Sequence, residues 1–203
     1  RQIYEHWPIV YLARWLVRNT ISNYKRDDHI GSCKMNKTIK HRFAVSKKTF
    51  WESVYFNEDY TKGLFLEGMN CESFEVLSKS GNVETKLERQ IKSTPRVDMP
   101  KALKKVLGDA VSYTESGTFD ASTGRYTFKV ATSALPDKIK ISGIYWVEEV
   151  GDNEVERVCE LTFEVKVFGV GKLVEQFIAQ SYVENQQNAD AFTAAWIARE
   201  LSV

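Results

Sequence analysis

The run from Val167 to Leu201 limits this chain more than any other stretch. It opens with Phe168-Gly169-Val170-Gly171 and then continues to the C-terminus without a Gly or Pro. Val170, Val174, Phe177, Ile178, Ser181 and Tyr182, then Ala189, Phe192 and Trp196, recur at the spacing of one helix face. About 30 residues at 1.5 Å per residue make a helix roughly 45 Å long. Strand-like segments fill the chain before it, so the concave face of a sheet is the partner this helix needs. The middle of the stripe is more polar, with Ser181, Asn185 and Asn188 on or near it. Buried amides without partners are costly, so a helix that only filled a core would have little use for them.

With 203 residues, 43% hydrophobic and 27% charged, the chain suits one well-buried globular domain with an appendage. A formal net charge of +1 excludes the strong basic excess of a general nucleic-acid binder. Cys33, Cys71 and Cys159 are odd in number and far apart, which favours reduced structural thiols in a cytosol-like compartment. His6, His29 and His41 lack metal-ligand spacing, and no Gly-rich phosphate loop occurs, so neither metal nor cofactor is expected. No run of about 18 apolar residues is present to span a membrane.

Residues 1–34 form a separate amphipathic helical extension. After Trp7-Pro8, Ile9, Leu12, Trp15, Leu16 and Ile21 supply apolar surface, and Arg14, Arg18, Lys25 and Arg26 supply positive charge. Such a segment, over 9–26, suits peripheral contact with a membrane surface. It equally suits packing on the domain or on another subunit, or it is foreign to the domain. The oligomeric state is open. The expected location is cytoplasmic, peripheral to a membrane if 9–26 binds one.

From Thr38 the pattern alternates, with Ile39, His41, Phe43 and Val45 on one side, as in a half-buried strand. Ser46 caps a short helix through Phe50, Val54 and Tyr55, and Asn57–Leu66 forms a second that Gly68 ends. Strands then follow over Cys71–Ser80 and Val83–Thr94, joined across Gly81-Asn82. Pro100–Leu107 is a short basic helix or lid-like loop. The remaining strands are Val111–Phe119, Arg125–Ala134, Lys138–Val150 and Glu154–Phe168. Short turns between consecutive strands predict an antiparallel meander.

Two stretches, His41-Arg42-Phe43-Ala44-Val45-Ser46-Lys47-Lys48-Thr49-Phe50-Trp51 and Val165-Lys166-Val167-Phe168-Gly169-Val170-Gly171-Lys172-Leu173-Val174-Glu175, carry a family resemblance. In this order of elements they resemble the START-like (SRPBCC, helix-grip) superfamily of lipid-transfer domains, birch-pollen-allergen relatives and polyketide cyclases. The second stretch is similar to an uncharacterised bacterial branch with a Gly-rich step before a helix with an early Glu. The likeness covers about Lys37 to Leu201, within a domain placed at 35–203, and nothing before it. It implies an α+β fold in which a curved antiparallel sheet of about seven strands wraps round the C-terminal helix. Two short helices follow the first strand, and a cavity lies between sheet and helix.

Strand alternation places Leu87, Arg89 and Ile91, then Tyr113, Glu115, Gly117 and Phe119, on the inner face. The later strands add Tyr126, Phe128 and Val130, then Ile141, Gly143, Tyr145 and Val147, and finally Val155, Arg157, Cys159, Leu161 and Phe163. His41, Arg89, Glu115 and Arg157 interrupt that apolar surface, and a lone buried charge requires a partner or water. They pair as structural ions, or a bulge sends them to solvent, or they anchor a ligand. The ligand expected is a hydrophobic or amphipathic small molecule such as a lipid, sterol, isoprenoid or polyketide, either bound or bound and transported. Arg89 and Glu115 meet its polar head, and His41, Tyr113 and Tyr145 are secondary donors. Phe128, Val174, Phe177, Ser181 and Asn185 complete the binding set. No catalytic residue stands out, because His41 has no sequence partner and neither Cys71 nor Cys159 has activating surroundings. A cyclase- or hydrolase-like enzyme in the same cavity, or a scaffold with a vestigial one, are the alternatives.

Overall fold

A computed structural model describes residues 33–167 and 171–201. The first strand, β1 (Cys33–Phe43), has its outer side chains exposed and its inner ones, Met35, Ile39 and Phe43 among them, turned to the protein. The Ser46 hydroxyl accepts from the Thr49 amide at 3.2 Å and starts α1 (Lys47–Thr49), which widens at once into a π-helical turn over Phe50–Tyr55. Asn57 caps α2 (Glu58–Gly63) in the same manner, its Oδ1 accepting from Tyr60 N at 2.9 Å. A second π-helical turn covers Leu64–Gly68. Such turns are rare and leave backbone carbonyls free to bond elsewhere.

Six further strands follow: β2 (Cys71–Gly81), β3 (Lys86–Pro95), β4 (Tyr113–Asp120), β5 (Arg125–Thr132), β6 (Ile139–Gly151) and β7 (Glu154–Val165). Between β3 and β4 lies α3 (Lys101–Leu107), so the segment expected as helix or lid-like loop is helical. The last element is α4 (Gly171–Glu200), 30 residues long. The seven strands form one antiparallel sheet in the order β1-β7-β6-β5-β4-β3-β2. The expected helix-grip α+β architecture is therefore the one observed.

Three details differ from the sequence-based expectation. Residues 82–85 separate β2 from β3, where two turn residues were expected. Asn82 Oδ1 gathers the Glu84 and Thr85 amides and the Thr85 hydroxyl into a wider turn. Next, β1 begins at Cys33 and pairs it with Val165, so a boundary at residue 34/35 cuts through a strand. Finally, Asn188, expected on or near the stripe, is exposed, and Phe192 and Trp196 of that stripe are half-buried. The helical extension expected over 1–34 lies almost wholly outside the described residues.

The main core joins the inner face of the sheet to the π-helical turn Phe50–Tyr55, α2 and α4. A second cluster packs Met99, Leu103 and Leu107 against Ile139, Val165 and Val174, so α3 and the start of α4 close the other end. Two inner-face glycines make room for aromatic rings. A Cβ at Gly143 would run into the Phe128 ring, and one at Gly117 would run into the Tyr126 hydroxyl. The rings lie over these bare backbones and fill the concave face.

Candidate functional site

Period-two alternation on β3 buries Leu87, Arg89, Ile91 and Ser93 in turn, so the Arg89 guanidinium enters the interior at only 7% exposure. No bulge interrupts the β3–β4 register, and Glu115 on β4 faces the same space. Its Oε1 lies 3.8 Å from Arg89 Nη2 and accepts from the Tyr126 hydroxyl at 2.9 Å. The π-helical turn supplies the next partner: Arg89 Nη1 donates to the Tyr55 carbonyl at 3.4 Å. The guanidinium also lies 5.3, 5.4 and 5.6 Å from the ring centres of Tyr55, Phe56 and Tyr126.

A second buried arginine stands on β7. Arg157 Nη2 donates to Asp190 Oδ1 at 2.6 Å, and its guanidinium lies 5.5 Å from the Phe43 ring centre and 5.7 Å from that of Tyr145. Asp190 also accepts from Gln186 Nε2 at 3.0 Å and lies 3.4 Å from His41 Nδ1. The polar chain continues along α4. The Tyr182 hydroxyl donates to Gln186 Oε1 at 3.2 Å and lies 3.1 Å from the Tyr145 hydroxyl and 3.5 Å from Cys159 Sγ.

Between the two arginines lies an aromatic layer. Phe128 stacks on Tyr145 at 5.1 Å and on Tyr126 at 6.1 Å, while Tyr55 meets Tyr126 at 5.4 Å and Tyr145 at 5.7 Å. Burial pushes the Tyr55, Tyr126, Tyr145 and Tyr182 phenols up, so they stay protonated and able to donate. Burial likewise raises the Cys159 thiol, which keeps it from acting as a thiolate nucleophile. The Glu115 carboxyl is also raised, because burial outweighs the opposing pull of Arg89 and the Tyr126 hydrogen bond.

These rings occupy the space between sheet and helix where the resemblance implied a cavity. Among the described residues, depressions indent the rim. One, of about 280 Å³, is lined by Lys47, Trp51, Val83, Phe119 and Gly124; another, of about 270 Å³, by Lys62, Gly63, Leu66, Phe192 and Trp196. The Nε–H groups of Arg89 and Arg157 are buried and have no hydrogen-bond partner among the described residues.

The residues expected to line a site are thus divided. Arg89, Glu115, Phe128 and Tyr145 come together around the aromatic layer. His41, expected as a secondary donor to a head group at Arg89 and Glu115, instead faces Asp190 at the Arg157 end. Tyr113 packs with Phe65, Cys71 and Ile91 in a separate cluster. Val174 and Phe177 belong to the cluster beneath α3. Ser181 and Asn185 are half-buried on α4, and no side-chain hydrogen bond forms from either among the described residues. Asp190, Gln186 and Tyr182 were missed as a set. Their signal is polar groups at i, i+4 and i+8, one residue out of step with Asn185.

A seven-stranded antiparallel sheet with a long C-terminal helix lying against it is the helix-grip fold. The family described as "Protein of unknown function (DUF2505)" matches residues 38–197, and the chain belongs to it. No curated protein matches the chain. Among solved structures it is similar to the Zhui aromatase/cyclase from Streptomyces sp. R1128, with 13% identity, TM-score 0.58 and coverage of 83% of this chain and 98% of the other. A protein from Thermus thermophilus gives 16% identity and TM-score 0.60, covering 83% and 100%. Norcoclaurine synthase from Thalictrum flavum, in complex with dopamine and hydroxybenzaldehyde, gives 14% and 0.58, covering 100% and 99%. At these identities the likeness is one of fold. No helix among the described residues is long and apolar enough to cross a membrane.

Proposed function

We propose that the protein binds, and carries, a hydrophobic or amphipathic small molecule such as a lipid, sterol, isoprenoid or polyketide between its sheet and α4. The supporting observation is the pair of buried arginines, each with an unpartnered Nε–H, on either side of an apolar aromatic layer. Buried polar groups normally find partners, so these spare donors, with the indole N–H groups of Trp51 and Trp196 also unpartnered, mark a place for acceptors that the protein does not supply. Apolar walls with a few convergent polar groups suit an amphipathic ligand, its head at Arg89 and Glu115. Entry requires the rings to move. They are held by stacking contacts worth about 0.5–1.5 kcal/mol each beyond burial, a barrier that a ligand can offset by its own burial.

Native mass spectrometry of the purified protein, followed by solvent extraction, tests this. The expected result is a copurifying amphipathic compound, or a rise in melting temperature with one from a panel of fatty acids, sterols and polyketide-like phenols. Neither a copurifying mass nor any stabilisation would leave a filled scaffold as the correct description.

Glu115 favours a second reading, an enzyme of the cyclase type. A buried carboxyl with a raised pKa, hydrogen-bonded to a phenol, is able to act as a general acid toward a bound substrate. Glu115→Gln would then abolish turnover of a bound compound while leaving its binding intact.

A further inference from the structure

We propose that the corner of the molecule built by α3, the start of β6, the end of β7 and the first turn of α4 docks on an anionic membrane surface. The inference stands whether or not the interior binds a small molecule. Lys101, Lys104 and Lys105 follow the i, i+3, i+4 spacing of one helix face and are exposed, while Leu103 and Leu107 of α3 are buried beneath them. That buried side packs on Ile139, Val165 and Val174, which brings α3 to the ends of β6 and β7 and the first turn of α4. Those ends carry Lys138, Lys140, Lys166 and Lys172, all exposed, and the Lys166 amide donates to the Lys138 carbonyl at 2.8 Å.

Some lysines elsewhere pair with carboxylates, as Lys40 does with Glu156, Lys79 with Glu58 and Lys86 with Glu88, while Lys62, Lys92 and Lys129 form no ion pair among the described residues. At this corner only Lys166 is paired among the described residues, with Glu164 at 2.6 Å. Asp98, Asp109, Asp137 and the buried Glu175 are the other acids nearby, so positive charge is in excess. The far end of the same sheet is mixed: the β6–β7 hairpin carries Glu148, Glu149, Asp152 and Glu154, and beside it stand Lys40 and Arg42, paired with Glu156, and Arg125, opposite Trp146. The 13 residues of β6 separate the two ends by about 40 Å. Several Debye lengths lie between them at physiological salt, so each end presents its own charge.

Charge alone would suit any polyanion, and the apolar content of the corner selects among them. Leu173, 38% exposed, stands beside Lys172 at the start of α4, next to the lysine face of α3. An exposed leucine among lysines fits the headgroup and acyl boundary of a bilayer, where each lysine adds attraction to anionic lipid. A nucleic acid backbone offers Leu173 nothing.

The test is sedimentation of the full chain with vesicles of phosphatidylcholine alone and of an equimolar mixture of phosphatidylcholine and phosphatidylserine. Binding is expected only to the mixture, and it should vanish near 1 M salt, where the Debye length is about 3 Å. The exposed-site variant Lys101→Glu/Lys104→Glu/Lys105→Glu should keep the wild-type melt and partition at least about tenfold more weakly. The opposite-end variant Glu149→Lys/Asp152→Lys should bind much as the wild type does. Wild-type partitioning by the α3 variant would place any membrane contact elsewhere, residues 1–32 included, and overturn the proposal. Equal gains and losses in the two variants would reduce it to net charge. Binding to single-stranded RNA without binding to the mixed vesicles would overturn it in favour of a nucleic acid.

Discussion

Arg157 on the last strand donates to Asp190 on the long helix at 2.6 Å, and this buried pair fixes where along its length α4 meets the sheet. The two residues are 33 apart in the chain, and each is the other's main charge partner. Gln186 bonds the same carboxylate, so the contact extends over a full turn of helix. Removing one member strands the other in a low-dielectric interior.

Asp190→Ala is accordingly expected to destabilise the protein by about 3–5 kcal/mol in urea denaturation. The double variant Arg157→Met/Asp190→Leu should recover most of that loss, because an apolar pair removes both charges together. A loss below about 1 kcal/mol for Asp190→Ala would mean that water reaches the pair.

The aromatic layer rests on bare backbone. Gly143→Ala drives a methyl into the Phe128 ring and to 2.8 Å from the Glu160 carbonyl, and the carbonyl cannot yield as a side chain does. A loss of about 1–3 kcal/mol is expected from such overpacking, read as a lower melting temperature. Gly68→Ala should act similarly on α4, since its Cβ would lie 2.9 Å from Phe192 Cβ and Cγ. An unchanged melt in either variant would show that the ring moves freely.

Burial raises the Glu115 carboxyl above its ordinary 4.5, so the native state keeps a proton that the unfolded chain has already released. Its contribution to stability therefore falls as pH rises from about 4.5 to the native value and is level above it. Glu115→Gln should gain stability relative to wild type across that window and then hold a constant difference. Denaturation curves from about pH 4 to pH 8 would show it. A difference that does not vary with pH would mean that Glu115 titrates normally. The surface pairs act in the opposite sense: Lys40 and Arg42 hold Glu156 below its ordinary value, and that contribution is lost as pH falls.

A chain beginning at Cys33 is expected to melt in a single cooperative transition like that of the full chain. All seven strands and α4 lie within it, and it retains the first ladder pair, Cys33 with Val165. A chain beginning at Met35 should be slightly less stable, having lost two ladder residues. Aggregation of the Cys33 chain would assign residues 1–32 to covering an apolar surface.

Much of this was legible in the sequence because it depends on local periodicity. Alternation on β3, β4, β5 and β7 put Arg89, Phe119, Phe128 and Arg157 on the inner face, and the absence of a bulge among the β3–β4 pairs kept that assignment correct. The Gly- and Pro-free run after Gly171 specified a long helix, and α4 has 30 residues. Periodicity failed where a choice of about 100° mattered. Asn185 and Gln186 are neighbours on a helix, and only contact with β7 selects Gln186 and Asp190 as the buried pair. The partner of His41 stands on the last helix, beyond any local pattern. Whether the interior is open or filled was equally beyond the sequence. It depends on rings from β5 lying over Gly117 on β4 and Gly143 on β6, a matter of rotamers and strand neighbours. One-dimensional pattern thus determined the elements and their faces, because hydrophobic burial acts residue by residue along a strand or helix. Tertiary packing alone decided the ion pairs, the polar chain along α4 and the filled centre, because each requires atoms from strands and a helix remote in the chain to meet within hydrogen-bonding or van der Waals distance.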